Sequence, residues 1–444
     1  MQSRPLANSI CDTLQRAGFE AYLVGGCVRD LLLGQDPADY DVTTNAKPDE
    51  VLRLFPGSIA VGAQFGVVLV SSDGATVEVA TFREDIGYSD GRHPDEVRYA
   101  SGPEDDVSRR DFTINGLLMR HDSGEVLDFV GGQADLKAGL IRAIGGPERR
   151  FREDKLRMLR AVRFAARLGY AIEPVTLAAM EIHAGEIRVV SAERTQEELT
   201  KILTEGAARR GFEWLEESGL LGQILPEISA MKGVPQPPEF HPEGDVWMHT
   251  RLMLEGLPRG CSPTLAWGVL LHDVGKPPTF RPASETGDRI RFDGHVEVGV
   301  RMAGEICRRL KLSNDDTEQV QALVANHMKF KDVAQMRKST LKRFVRQPRF
   351  DEHLELHRLD CGASHGRIDA YNLVRDFLAA TPADQVRPAR LLTGDDLNEM
   401  GYAPGPEYQR ILTTLEDAQL EGGVATREQA MAFVRTSYPS RKDR

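Results

Sequence analysis

The chain has 444 residues, 41% of them hydrophobic and 28% charged, and 56 Lys and Arg against 67 Asp and Glu give a formal net charge of −11. This composition suits two to four globular domains and excludes disordered and collagen-like chains. The acidic total excludes a uniformly basic nucleic-acid coat but says nothing of how the charge is distributed. No apolar run approaches the roughly 18–20 residues of a membrane span, and the first residues lack the pattern of a secretory signal. Five scattered cysteines without a CxxC pair fit a reducing, cytoplasmic setting.

In chain order, the spacing predicts a helix over 7–17 that ends at Gly18. A short apolar strand, AYLV, then stops on Gly25 and Gly26, and a helix follows through CVRDLLLG. DYDVTT, GVVLVSS and TVEVATFR alternate or run β-branched and predict half-buried strands. LDFVGGQADL, with its two glycines, reads as a joint. The mixture over 1–145 predicts a small α+β head. From 146 to 232 the strand signals vanish, and KLRMLRAVRFAARLG and ERTQEELTKILTEG carry apolar residues at three- and four-residue spacing, which predicts a helical neck. KGVPQPPEFHPEG is the clearest linker in the chain. Residues 245–360 are again helical and hold six of the eleven histidines, and 361–444 form a helical tail broken at YAPGPE.

The chemistry starts at the glycine turn. A Gly-Gly step before a helix exposes backbone N–H groups where the helix dipole favours phosphate, and Arg29 adds a cation; alone, such a step is an ordinary turn. Asp39 and Asp41 follow. Positions i and i+2 of a strand share a face, and two such carboxylates repel unless a cation lies between them. Mg²⁺ takes one or two carboxylates together with phosphate oxygens, so the pair beside a phosphate turn describes a two-metal phosphoryl-transfer site. The alternative is a solvated Asp-rich turn. Glu78, in an apolar strand, is a candidate third carboxylate.

GG-x-V-R-D, then D-x-D, then a strand with a central Glu resembles the polymerase-β type of nucleotidyltransferase. Further motifs narrow the resemblance to class II tRNA nucleotidyltransferases (the CCA-adding enzymes) and the related bacterial poly(A) polymerases: SRRDFTING at 108–116, REDKLRMLRAVRFAARLG at 152–169, SAERTQEEL at 191–199, and a segment at 80–97 similar to their flexible loop. The resemblance implies a polymerase-β-like head followed by all-α neck, HD and tail domains. It implies that two Mg²⁺ ions sit on Asp39 and Asp41, and that Gly26, Arg29 and Arg110 hold the triphosphate. Asp111 is expected at the ribose or in a local salt bridge. Arg83, Asp85 and Arg92 in the loop are implied to help the pocket switch from CTP to ATP.

Glu153-Asp154-x-x-Arg157-x-x-Arg160 is predicted on one helix, where residues three apart are neighbours, so Asp154, Arg157 and Arg160 form a ridge, with Arg163 further round. A carboxylate beside a guanidinium matches a base edge offering an amino donor next to a ring-nitrogen acceptor, which cytosine and adenine present and guanine and uracil do not. The family assigns base reading to Asp154 and Arg157; the alternative is a salt-bridge pair on a solvated helix. The implied reaction is template-independent addition of C, C and A to the 3′ end of tRNA from CTP and ATP. A poly(A) polymerase or an A-only adding enzyme shares every motif, and a hydrolase or RNA-binding protein with a vestigial polymerase site is the remaining alternative.

LLHDVGKPP, with His249 upstream and Asp360 downstream, is similar to the H…HD…D pattern of HD phosphohydrolases, and His295 and His327 fit its extended form. This ligand mix of His249, His272, Asp273 and Asp360 suits Mg²⁺ or a divalent transition metal that activates water. His353, His357 and His365 are expected to be structural. LTGDDLNEMGYAPGPEYQRIL is similar to the tail of the same family. The domain reading is thus 1–145 head, 146–232 neck, 245–360 HD domain and 361–444 tail; the sequence sets no oligomeric state. The charge is uneven: residues 142–167 hold nine Arg and Lys against three acids, and 327–349 hold eight against one. Such local basic stretches are expected to grip one RNA end.

Overall fold

A computed structural model describes residues 3–61, 66–87, 96–100 and 102–439. The chain forms two compact units. One comprises Met1–Ala230 with Leu257–Cys261 and Arg309–Leu312; the other comprises Met231–Gly256, Ser262–Arg308 and Ser313–Arg444.

The strands are β1 (Ala21–Val24), β2 (Asp41–Thr44), β3 (Ile59–Ala60), β4 (Val67–Ser72), β5 (Ala75–Thr81), β6 (Arg83–Ile86), β7 (Glu96–Tyr99), β8 (Leu117–Met119), β9 (Val126–Asp128), β10 (Leu140–Ile141) and β11 (Ala171–Ile172). Seven of them form one mixed sheet in the order β3-β4-β5-β2-β1-β8-β9. The helix Ser3–Arg16 covers β1, β2 and β5 with Leu6, Ala7, Ile10, Cys11 and Leu14, the three- and four-residue stripe expected of it. Register places the chemistry. β1 runs antiparallel to β2 with Val24 opposite Asp41, and β2 runs parallel to β5 with Asp41 opposite Glu78. The end of β1, where Gly25 and Gly26 begin the next helix, is therefore brought to the start of β2.

Three expectations change. The DYDVTT strand begins only at Asp41, so Asp39 lies ahead of it on exposed irregular chain. LDFVGGQADL is no joint: it supplies edge strand β9 and the helix Gly132–Ala138. Gly131 has φ 76°, and a Cβ on Gly132 would lie 2.2 Å from the Thr113 carbonyl oxygen, so the glycines serve close packing within the head. Strand structure also persists beyond 146, because β11 pairs in parallel with β10 and closes the loop around the helix Leu156–Leu168. That helix packs on Ala192–Thr204 and Ala208–Glu217. Gly211 permits the approach, since its Cβ would meet Ile202 at 2.4 Å.

In the second unit the helix Pro263–Leu271 is buried along almost its whole length and packs against Val246–Glu255, Asn314–Asn326 and Phe350–Ala363. Just after it, a Cβ on Gly275 would lie 2.1 Å from the His295 carbonyl oxygen, so only glycine lets this turn press against the helix His295–Arg309. The helix Pro406–Glu421 starts at the second proline of the PGP run, as its N1 preference dictates. It shares a small core with Leu392, Leu397, Val424 and Val434.

Candidate active site and a histidine-rich centre

A cavity of about 430 Å³ in the first unit is lined by Gly25, Gly26, Arg29, Asp41, Arg109, Arg110, Asp111, Asn115, Asp154, Leu156, Arg157, Arg160, Phe164 and Arg194. Gly25 adopts φ 78°, and a Cβ there would lie 3.3 Å from Arg110 Nη1. Asp41 opens onto the cavity. Its carboxyl is pushed up to about 6, first by burial and then by the charge of Glu78, with Asp39 adding and Arg110 opposing. Glu78 projects from the exposed face between buried Val77 and Val79. Neither Asp39 nor Glu78 is among the cavity-lining residues.

Each guanidinium in the pocket is held by a carboxylate. Arg109 Nε and Nη2 donate to Asp106 Oδ1 at 2.9 and 2.6 Å, and Arg110 Nη2 donates to Asp106 Oδ2 at 3.0 Å. Asp106 is fully buried and also accepts from the Thr43 hydroxyl of β2, 3.3 Å away. Asn115 joins two predicted residues: its Oδ1 accepts from Arg29 Nη1 at 2.7 Å, and its Nδ2 donates to Asp111 Oδ1 at 3.1 Å. Arg160 donates twice to Asp111 Oδ2, at 2.8 and 2.6 Å. Burial would raise the Asp111 carboxyl, but Arg160 more than offsets it and holds the group at about 2. Asp111 is thus in the local salt bridge.

The expected Asp154–Arg157–Arg160 ridge is not a single helical face. Asp154 ends the short helix Pro147–Glu153 in extended conformation, and the next helix begins at Leu156. Both Asp154 oxygens accept from Arg194, at 3.2 and 2.7 Å. Arg157 donates to Glu153 Oε2 at 2.7 Å and to the Arg109 carbonyl at 3.0 Å. Asp154 and Arg157 nevertheless line the same cavity. Arg163 does not: its Nε donates to buried Glu198 at 2.7 Å, which turns it into the helical packing. Asp106, Asn115, Glu153 and Arg194 were missed as site residues. Each sits within or beside a quoted motif, but only the fold pairs them.

The basic stretches are not open cationic surfaces. All nine cations of 142–167 have a carboxylate within 4.0 Å. In 327–349, Arg343 and Arg346 pair with Glu416, and Lys342 Nζ donates to the Leu420 carbonyl; Lys329, Lys331 and Lys338 remain exposed. Of the loop residues, Arg83 lies in β6, which pairs with β7, whereas Arg92 and the Asp85 side chain fall outside the described residues.

In the second unit all six expected histidine-centre residues converge. His249, His272 and Asp360 offer ligand atoms within 4.8 Å of one another, as do Asp273, His295 and His327. The rings of His272 and His327 are 5.6 Å apart, and those of His295 and His327 are 5.5 Å apart. Nδ1 of His272, His295 and His327 faces the carbonyls of Val269, Phe292 and Val324 at 2.8, 2.8 and 2.7 Å. A carbonyl only accepts, so Nδ1 carries the proton and the Nε2 lone pair faces inward. Nε2 of His249, His272, His295 and His327, and Oδ1 of Asp273, are buried without a hydrogen bond, but carboxylates stand close: Asp273 Oδ2 lies 3.0 Å from His272 Nε2, Asp360 Oδ1 3.2 Å from His249 Nε2 and Asp273 Oδ1 3.8 Å from His327 Nε2. Burial pushes His327 down to about 4, the neutral form that ligates metal, whereas at His249 burial acts the same way but the carboxylates of Asp360 and Glu243 outweigh it and hold the imidazole up at about 9. His353 and His357 stay in packing, His357 stacked 4.3 Å from Phe330. A His241–Glu243–His249 group, from the supposed linker, was not expected.

Residues 21–142 match the poly A polymerase head domain, 169–232 the probable RNA and SrmB-binding site of polymerase A, and 245–356 the HD domain. The chain is 46% identical to a CCA-adding enzyme of Levilactobacillus brevis over 227 residues, 51% of this chain and 57% of that protein. It is 40% identical to one of Latilactobacillus sakei subsp. sakei over 269 residues, 59% of this chain and 66% of that protein. The chain thus spans between about half and two thirds of the length of these curated relatives. In three dimensions it resembles the crystal structure of the Bacillus stearothermophilus CCA-adding enzyme in complex with CTP. The TM-score is 0.75 at 26% identity, covering 98% of this chain and 99% of that one.

Proposed function

We propose that this chain, a member of the family of class II tRNA nucleotidyltransferases and bacterial poly(A) polymerases with an HD domain after the head in sequence, adds CCA to tRNA 3′ ends from CTP and ATP without a template. The observation that carries this is the single cavity that holds a glycine turn, an acidic strand start and the Asp154–Arg157 pair. The acidic group fits Mg²⁺ in donor type: its donors are all oxygens, and burial first, then the charge of Glu78, disfavours the Asp41 carboxylate, which a bound cation would offset. Asp41, opposite Glu78 in the sheet register, and Asp39 just ahead of the strand would hold two Mg²⁺ ions, with Glu78 a weaker third candidate. When bound, Mg²⁺ neutralises phosphate charge and lowers the pKa of an attacking hydroxyl.

The rest belongs to this chain's own residues. Gly26, Arg29 and Arg110 orient the triphosphate so that the α-phosphorus faces the primer. The primer 3′-hydroxyl gives up its proton to solvent, its oxygen bonds to that phosphorus as the bond to the α–β bridging oxygen breaks, and pyrophosphate leaves. Asp154 accepts from the base amino group and Arg157 donates to the neighbouring ring nitrogen, which admits cytosine and adenine. Arg194 and Glu153 keep these two side chains from pairing with each other. The test is purified protein with CCA-less tRNA, Mg²⁺, and CTP or ATP singly and together. CTP alone is expected to add C residues and the pair to complete CCA; A-tails from ATP alone on the CCA-less end would overturn this for a poly(A) polymerase.

For the second unit the inward imidazole nitrogens, buried without a hydrogen bond, favour a metal-dependent phosphohydrolase. His249, His272, Asp273, His295, His327 and Asp360 would hold a divalent metal, which supplies an activated water when bound. Phosphate or phosphomonoester release from 2′,3′-cyclic nucleotides with Mg²⁺, Mn²⁺ or Ni²⁺ tests it, and no release with any of them would sink it. Among the described residues no helix is long and apolar enough to cross a membrane, and the proposed setting is the cytoplasm.

A further inference from the structure

The Pro- and Gly-rich stretch 232–245 is tied at its base. The Val246 N–H donates to the Val234 carbonyl at 3.0 Å, and Pro235 and Asp245 form an antiparallel bridge. The Gly233 N–H donates to Asp245 Oδ2 at 2.7 Å, while Asp245 Oδ1 accepts the Met248 N–H at 2.7 Å and caps the helix carrying His249. The loop is thereby fixed to the first turn of a helix that supplies the histidine centre.

Two side chains of this loop stand directly behind groups that face the centre. Glu243 Oε1 lies 2.7 Å from His249 Nδ1 and 2.9 Å from His241 Nδ1. Gln236, itself buried, accepts at Oε1 from Lys276 Nζ at 2.6 Å, and Lys276 Nζ lies 2.7 Å from Asp273 Oδ2. Asp273 Oδ2 also stands 3.0 Å from His272 Nε2, and Oδ1, 3.8 Å from His327 Nε2, is buried without a hydrogen bond. The contrast with the other histidines carries the inference. His272, His295 and His327 are each oriented by a carbonyl three residues earlier in their own chain segment. His249 has the Glu243 carboxylate in that place. A carboxylate behind an imidazole fixes its tautomer and raises its basicity as a ligand.

We propose that the loop 235–245 is a working wall of the histidine centre, in which Glu243 is the positioning residue for His249 and Gln236, through Lys276, the positioning residue for Asp273. This rests on the reading of that centre as a metal site. The probe is Mn²⁺ alone, its free concentration followed by its EPR signal in titrations of the full chain, each variant and its parent carrying Asp41→Ala to remove the ion site proposed in the head. Glu243→Ala is expected to weaken Mn²⁺ binding by about 10–100-fold. Glu243→Gln, which keeps an oxygen opposite Nδ1, is expected to recover most of that loss. Gln236→Ala is an independent arm, expected to weaken binding by about tenfold, and it decides the matter should Glu243→Ala fail to fold. The parent's affinity in Glu243→Ala or Gln236→Ala overturns this proposal alone, as does a Glu243→Gln protein no better than the alanine variant. A parent chain that binds no Mn²⁺ removes the metal reading, and this proposal with it.

Discussion

The head cavity and the histidine centre both collect ionisable side chains, but they leave them in opposite states. In the cavity, Arg29, Arg109, Arg110, Arg157, Arg160 and Arg194 each have a carboxylate partner. In the centre, four imidazole nitrogens and one carboxylate oxygen are buried without a hydrogen bond, although carboxylate oxygens stand within 4.0 Å of Nε2 of His249, His272 and His327. A site that takes a large, flexible anion benefits from cations already fixed in place, because little side-chain entropy is then lost on binding. A site for a small cation needs bare lone pairs, and each such buried atom costs stability until the ion arrives.

The largest effects follow from removing what each region cannot replace. Asp41→Ala is expected to abolish nucleotide incorporation while leaving tRNA binding largely intact, measured by primer extension and filter binding; retained incorporation would break the metal role given to that carboxylate. Asp273→Asn is expected to weaken metal binding at the histidine centre by more than about 100-fold, read as metal content after dialysis. An unchanged content would mean that the inward lone pairs are packing features only.

Next come the partners. Asp106→Ala leaves two guanidiniums without their shared buried carboxylate, and the expected cost is about 3 kcal/mol in chemical denaturation, together with a raised KM for nucleoside triphosphate. A loss of stability at unchanged KM would show that Arg109 and Arg110 are fixed by something else. Arg194→Ala frees Asp154 from its bidentate partner. Discrimination of CTP and ATP against UTP and GTP is expected to fall by about tenfold, with a smaller change in the rate for CTP.

Much of this was legible in the sequence, for identifiable reasons. The glycine turn, Asp41 and the strands around them are local patterns, and one antiparallel register unites them. The six histidine-centre residues were legible as an ordered set because they follow the H…HD…D pattern and its extended form, and the fold brings their ligand atoms together. The partners were not legible. Arg194 reaches Asp154 across 40 residues, and no local periodicity records that. The break at Asp154 also defeats the i,i+3 rule, since that rule presupposes one continuous helix. The loop over 232–245 was hidden for a different reason. Its prolines and glycines report where the backbone turns, and they carry no information on where Gln236, His241 and Glu243 point.

Arg163 supplies the smallest and sharpest test of the contrast between paired and waiting groups. It stands three residues beyond Arg160 in the same motif, so spacing alone offers it to the nucleotide as readily as its neighbour. The fold gives it to Glu198 instead, at 2.7 Å, with both side chains buried, and lays its guanidinium 4.4 Å from the Phe164 ring centroid. Lysine keeps the charge but loses the planar stack and the fixed fork. Arg163→Lys is therefore expected to cost about 1 kcal/mol of stability and to leave the ratio of CTP to UTP incorporation unchanged. A shift in that ratio without a shift in stability would return Arg163 to the nucleotide, and would mean that a buried carboxylate partner is no bar to base reading in this cavity.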